Sequence, residues 1–240
     1  LAACTARGVL VCNTPATGSG NSTAELALGL LLACARHIAQ GDAEIRAGRF
    51  QQHVPPGLDL GGRMLGLVGL GRIGATMAKY GQALGMQVQA WSPNLTAERC
   101  AELGVTLADK ATLMATSDAI SIHMVLSDRS RGLIGEADIA RMKPGAILIN
   151  TSRGPLVETA PLLAALNARR IMAGIDVYAT EPLPADDPLR RAPNCVLTPH
   201  VGYVTTTSMR DFYHYCAENL LAWLDGAPIR VMNPDAAHKA

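Results

Sequence analysis

Apolar runs of strand length recur along this chain at Arg63 to Val68, Met86 to Trp91, Gly104 to Leu107, Asp118 to Met124, Ala146 to Asn150, Ile171 to Val177 and Cys195 to Thr198. Between them, apolar residues fall at helical spacing over Ile73 to Leu84, Thr96 to Leu103, Ala108 to Ala115, Gly135 to Met142 and Pro161 to Ala168. Alternation of this kind predicts an α/β fold in which helices cover both faces of a parallel sheet. Ligands of such sheets bind outside the carboxyl ends of the strands. Two further helices are predicted outside the alternation. One runs from about Ser22 to Ala39 and is apolar on all sides between Leu26 and Ala35, which suits burial at a subunit or domain interface. The other, about Thr205 to Leu224, is long enough to leave the sheet and pack elsewhere. The opening LAACTARGVLV reads as the tail of a helix, a stop at Gly8 and a strand.

The segment Gly66 to Gly74, GLVGLGRIG, joins the first of these strands to its helix through a glycine-rich turn. The spacing alone is a weak signal, but its position between a strand and a helix makes it a dinucleotide-binding fingerprint. Gly69 permits the tight turn, Gly71 lets backbone approach a pyrophosphate, and Gly74 allows close packing of helix on strand. The helix start adds N–H donors and the positive end of the helix dipole.

Composition narrows the remaining choices. Hydrophobic residues make up 49% of the chain against a net charge of +1, so charge points to neither nucleic acid nor a membrane as partner. The apolar run Leu26 to Ala35 falls short of the roughly 18 to 20 residues that span a bilayer. The six cysteines are scattered without a CxxC pair, which suits reduced thiols in a cytoplasmic protein rather than a disulfide frame or a zinc site.

Three successive strand ends carry chemistry. Asn150 is followed by Thr151, Ser152, Arg153 and Gly154; the next strand by Asp176 and then Glu181-Pro182; the last by Thr198-Pro199-His200-Val201-Gly202. An arginine, acids and a histidine on one edge of a dinucleotide-binding sheet suit hydride exchange with a ketone. A guanidinium can hold a carboxylate and stabilise charge growing on oxygen. A histidine beside a carboxylate can keep its acid form near neutrality and supply the proton.

These stretches, with Asn13-Thr14-Pro15 and Thr23-Ala24-Glu25, resemble the D-isomer-specific 2-hydroxyacid dehydrogenase family over essentially the whole chain. The resemblance implies a Rossmann-like, doubly wound parallel sheet at 19–204, with remnants of a second, flavodoxin-like substrate domain at 1–18 and 205–240. It implies an NAD(P)-dependent oxidoreductase acting on a small 2-hydroxy or 2-keto acid, with Arg153 binding and polarising substrate, Glu181 tuning the histidine and His200 as the acid/base. Arg72 and Ile73 would meet the pyrophosphate beside Gly69, Gly71 and Gly74. Thr151, Ser152 and Arg153 would line the nicotinamide side, Asp176 would hold the carboxamide, and Thr23, His123, Val125, His200 and Gly202 would complete the cofactor site. The helix near Thr23 would also build a homodimer.

Two departures qualify the resemblance. Family members carry a further segment, about one small domain long, before the point where this chain starts, so residues 1–240 alone are expected to bind a dinucleotide without turning over substrate. The acid expected roughly 20 residues after the glycine loop is absent from Ala90-Trp91-Ser92-Pro93-Asn94. Ser92 and Asn94 are left to bond the ribose hydroxyls, with NAD preferred and NADP left open. Other members of the fold suggest two alternatives, a nucleotide-sensing corepressor and a formate-dehydrogenase-like enzyme. The second needs no hydroxyl proton and so gives a histidine–glutamate pair no task.

Overall fold

The computed structural model describes residues 1–15 and 21–238. Seven strands form one parallel sheet: β1 (Met64–Val68), β2 (Gln87–Trp91), β3 (Thr106–Leu107), β4 (Ala119–Ile122), β5 (Ile147–Asn150), β6 (Met172–Ile175) and β7 (Cys195–Leu197). Their order is β3-β2-β1-β4-β5-β6-β7. It reverses between β1 and β4, so a crevice opens there at the carboxyl ends, as in the Rossmann fold. The helices in chain order are α1 (Ala2–Ala6), α2 (Ser22–Ala35), α3 (Ile38–Arg46), α4 (Arg72–Ala83), α5 (Ala97–Glu102), α6 (Lys110–Thr116), α7 (Glu136–Arg141), α8 (Thr159–Asn167) and α9 (Thr206–Leu224). Each strand and helix of the predicted alternation is present, with ends moved by a few residues.

Strand alternation divides the apolar side chains between two layers. Leu65, Leu67, Ala119, Ile147 and Ile149 pack with Leu30, Leu31 and Cys34 of α2 and Met77 and Ala78 of α4. Val68, Ile120, Ile122 and Leu148 pack on the opposite face with Leu113 of α6, Ile139 of α7 and Leu162 and Leu166 of α8. Both faces are covered, which is why these strands read as continuous apolar runs. Short polar N-caps start two of the connecting helices: Thr96 accepts from the Arg99 N–H at 3.3 Å at the head of α5 and Asp109 from the Thr112 N–H at 2.8 Å at the head of α6.

Two expectations need correction. The helix predicted over Ser22 to Ala39 ends at Ala35, and α3 follows after His37, whose φ is +51°. The Ala35 carbonyl accepts from the Leu58 N–H at 2.7 Å instead of from residue 39, so a tertiary hydrogen bond ends the helix. In the single chain Leu26, Leu28 and Leu32 of this helix are partly exposed. The strand predicted after Gly8 reduces to one antiparallel bridge, Cys12 with Val231. There the Asn233 side chain takes the places of a ladder partner, accepting from the Val11 N–H at 2.7 Å and donating to the Val9 carbonyl at 2.9 Å.

The chain forms two compact units: Asn21–Gly202, which holds the sheet, and the described residues of Leu1–Gly20 with Tyr203–Ala240. In the smaller unit α9 has no buried residue and leaves Tyr213, Leu220, Leu221, Trp223 and Leu224 exposed. Among the described residues no single helix is long and apolar enough to cross a membrane.

Candidate active site

The glycine turn leaves β1 at Gly69, whose φ of +101° is open to glycine and strained for other residues. A Cβ at Gly69 would strike the His123 carbonyl oxygen, and one at Gly74 would strike the Gly69 carbonyl oxygen. A Cβ at Gly71 would meet no atom of the described residues within 4 Å, so the backbone can be approached closely at this point. Gly71 is also the N-cap of α4 and makes no side-chain cap. The first N–H groups of a helix have no intrahelical acceptor, and α4 begins at the crevice between β1 and β4. These features fit the pyrophosphate of a dinucleotide. The turn after β2 presents Ser92 and Asn94, with no carboxylate between Trp91 and Leu95.

A second group of polar atoms lies across the crevice. Ile122 of β4 pairs with Asn150 of β5, so His123 and Thr151 follow at adjacent strand ends, and Ser121 shares the face of His123 two residues back. The Ser121 hydroxyl, both ring nitrogens of His123 and the Thr151 hydroxyl are buried without a hydrogen-bond partner among the described residues. Orphaned buried polar atoms are costly, and hydroxyl and imidazole groups at the mouth of the crevice suit a polar ligand seated there. Burial pushes the His123 imidazole down to about 4, which makes it a neutral donor–acceptor near pH 7. Val125 projects into solvent beyond it.

The loops after β5, β6 and β7 are tied together by side chains. The Asn150 amide donates to the Arg153 carbonyl at 3.0 Å and accepts from the Ser152 N–H at 3.0 Å, while the Ser152 hydroxyl donates to the Ile122 carbonyl at 2.7 Å. Arg153 follows with its Nη1 donating to the Ser152 carbonyl at 2.6 Å. Asp176 is buried at the end of β6, where it accepts from the Thr198 hydroxyl at 2.6 Å, the Val201 N–H at 2.9 Å and the Gly202 N–H at 3.0 Å. A carboxylate offers about four lone-pair sites, so Asp176 holds the loop after β7 and keeps one site for a further donor. Thr23 of α2 flanks the same loop, within 3.3 Å of where a Gly202 Cβ would stand.

His200 sits on that loop with φ +56°, an uncommon conformation for a residue with a side chain. Its N–H donates to the Asp176 carbonyl at 2.8 Å. Its Nδ1 lies 2.6 Å from Oε2 of Glu181, whose Oε1 accepts from the Tyr178 N–H at 2.8 Å. Partial burial pushes the Glu181 carboxyl up, but the Tyr178 N–H, His200 and Arg153 outweigh it and hold the group below the usual carboxylate range. A cavity of about 590 Å³ opens beside the pair, lined also by Tyr178, Pro182, Leu183, Arg190, Leu197 and Pro199.

The residues singled out from the sequence within Asn21–Gly202 therefore lie along the carboxyl edge of the sheet, in two groups either side of the strand-order reversal. Tyr178 and Ser121 were missed. Ser121 could have been found by counting back two residues from His123 on the same strand. Tyr178 lies between two residues already chosen, Asp176 and Glu181, but no local signal marks its hydroxyl.

Residues 28–202 match the family described as D-isomer specific 2-hydroxyacid dehydrogenase, NAD binding domain. The D-3-phosphoglycerate dehydrogenase of Archaeoglobus fulgidus is 38% identical over 229 residues, covering 95% of this chain and 43% of that protein. The glyoxylate reductase of Thermococcus litoralis is 39% identical over 240 residues, covering 96% of this chain and 72% of the relative. The apo structure of D-lactate dehydrogenase from Escherichia coli superposes with a TM-score of 0.86 at 30% identity, over 96% of this chain and 73% of the other. The chain thus spans between less than half and about three quarters of these relatives. With its parallel sheet, its glycine cradle and this match, the chain belongs to the D-isomer-specific 2-hydroxyacid dehydrogenase family and carries that family's NAD-binding domain.

Proposed function

We propose that the protein interconverts a small 2-keto acid and the corresponding 2-hydroxy acid with a nicotinamide dinucleotide. The observation that carries this reading is the 2.6 Å contact between His200 Nδ1 and Glu181 Oε2 at the carboxyl edge of a dinucleotide-binding sheet. A bound dinucleotide would supply the hydride for reduction or accept it in oxidation. Gly69, Gly71, Arg72, Ile73 and Gly74 hold its pyrophosphate, Ser92 and Asn94 its adenosine ribose, and Thr151 and the remaining site on Asp176 its nicotinamide end. His123, Val125, Ser152 and Gly202 border the same groove.

Arg153 directs its guanidinium at the substrate carboxylate and at the carbonyl oxygen, where negative charge grows during reduction. His200 gives its proton from Nε2 to that oxygen in reduction and takes it back in oxidation. Glu181 accepts from Nδ1–H, which fixes the ring's tautomer and orientation and favours the doubly protonated ring at the moment of transfer. Asp176 and Thr198 hold the loop that carries His200. The partly exposed Leu26, Leu28 and Leu32 on α2 support a homodimer through that helix.

The test is to assay the full-length protein with NADH and NADPH against glyoxylate, hydroxypyruvate and larger keto acids. Turnover of at least one of them at about 1 s⁻¹ or more is expected. Tight NADH binding with no turnover of any keto acid would favour a sensing role and overturn the reading.

A further inference from the structure

The Glu181–His200 pair is built from two separate loops, and one residue, Tyr178, bonds to both. Tyr178 follows β6 by three residues, and its main chain is pressed against Gly154, so closely that a Cβ at Gly154 would collide with the Tyr178 carbonyl. Its N–H donates to Glu181 Oε1 at 2.8 Å. Its phenol donates to the Thr198 carbonyl at 2.8 Å, with the Ile175 carbonyl at 3.4 Å. Thr198 lies two residues before His200, and its carbonyl also accepts from the His200 N–H at 3.1 Å.

We propose that Tyr178 is a positioning residue for proton transfer, holding the Glu181 carboxylate through its main-chain N–H and the His200 loop through its phenol. The proposal rests on the reading of Glu181 and His200 as the acid/base pair. Three facts carry it. One hydrogen bond runs to Glu181 and the other to the Thr198 carbonyl in the loop that carries His200. The phenol must act as a donor, because both atoms it faces are carbonyl oxygens. The close approach at Gly154 ties the same residue to the loop of Arg153. Burial first, then Cys195, Asp176 and Glu181, push the phenol up to about 12, so it stays a donor across the working range of a histidine.

Loss of the phenol bond removes one of the contacts that hold the Thr198 carbonyl beside the strained turn at His200. The ring then has a wider choice of orientations towards Glu181, while the glycine cradle, on the other side of the strand-order reversal, is unaffected. The charged and titratable groups facing the pair are Arg153 after β5, Asp176 at the end of β6, Cys195 on β7 and Arg190 beside the cavity; Tyr178→Phe removes none of them.

The experiment compares Tyr178→Phe with the unaltered full-length enzyme. A hydrogen bond contributes on the order of 1 kcal/mol, so keto-acid reduction should slow by about three- to tenfold in kcat, with NADH affinity changed less than twofold. The alkaline limb of the rate profile should move to lower pH, because a loosened carboxylate stabilises the protonated ring less well. A Tyr178→Phe enzyme with unchanged kcat and an unmoved profile overturns the proposal. So does a fall in kcat matched by an equal loss of NADH affinity, which marks general loosening. His200→Gln, measured alongside, separates the two levels: full activity in that variant removes the acid/base pair itself, whereas its inactivity together with a normal Tyr178→Phe enzyme removes only the role of Tyr178.

Discussion

The carboxylate of Glu181 reaches Nδ1 of His200 at 2.6 Å although the two residues leave different strands of the sheet. The contact joins the loop after β6 to the loop after β7. It underlies the first prediction. General acid catalysis contributes about 10² to 10⁴ in rate, so His200→Gln should lower turnover by that factor while NADH still binds. Glu181→Gln should retain more activity but lose rate at lower pH on the alkaline side. Stopped-flow and steady-state assays across pH separate the two variants, and a His200→Gln enzyme with normal turnover removes His200 from the chemistry.

The carboxyl of Glu181 is held below its ordinary range. A lowered acid contributes its stabilising interaction above the unfolded value and loses it as pH falls through the folded one. Keto-acid reduction should therefore fail on the acid side only below the usual carboxylate range. A rate that collapses already near pH 6 would mean that Glu181 takes up a proton too early for this role.

Gly74→Ala tests the cradle. The new Cβ has nowhere to go against the Gly69 carbonyl oxygen, so the turn must shift. Overpacking of this kind costs about 1 to 3 kcal/mol, and at least a tenfold rise in the Kd for NADH is expected from fluorescence titration. Unaltered affinity would place the pyrophosphate elsewhere.

His123 gives a stability prediction with a definite sign. Its folded value of about 4 lies below the unfolded value of 6.5, so between these limits the unfolded chain binds more protons. Stability is fully present above pH 6.5 and falls as pH drops towards 4, by up to about 3 kcal/mol. His123→Phe should flatten that slope in denaturant titrations at pH 4.5, 5.5 and 7. An unchanged slope would assign the acid sensitivity to other groups.

The turn after β2 carries Ser92 and Asn94 where a carboxylate would repel a 2′-phosphate. The preference for NADH over NADPH should stay below about 10³, or roughly 4 kcal/mol. A larger ratio in paired titrations would reveal a repulsive group outside this turn.

The sequence by itself determined the order of strands and helices, because each apolar run had to be covered on both faces and each glycine, threonine or aspartate cap acts within a few residues of its position. It also determined which residues stand near strand ends, since Asp176 follows the last apolar residue of its strand directly and Arg153 and His200 follow theirs within four positions. Events that depend on distant chain segments lay beyond it. The break in the helix at Ala35 comes from the Leu58 N–H, more than twenty residues on. The single bridge after Gly8 reflects the side chain of Asn233 at the far end of the chain. The partners of Tyr178, Glu181 and His200 were chosen by the register of β6 against β7, which sets the heights at which the two loops begin. Local periodicity records only which face a side chain takes; which atoms then meet across loops is decided by packing and by the hydrogen bonds that buried groups must find.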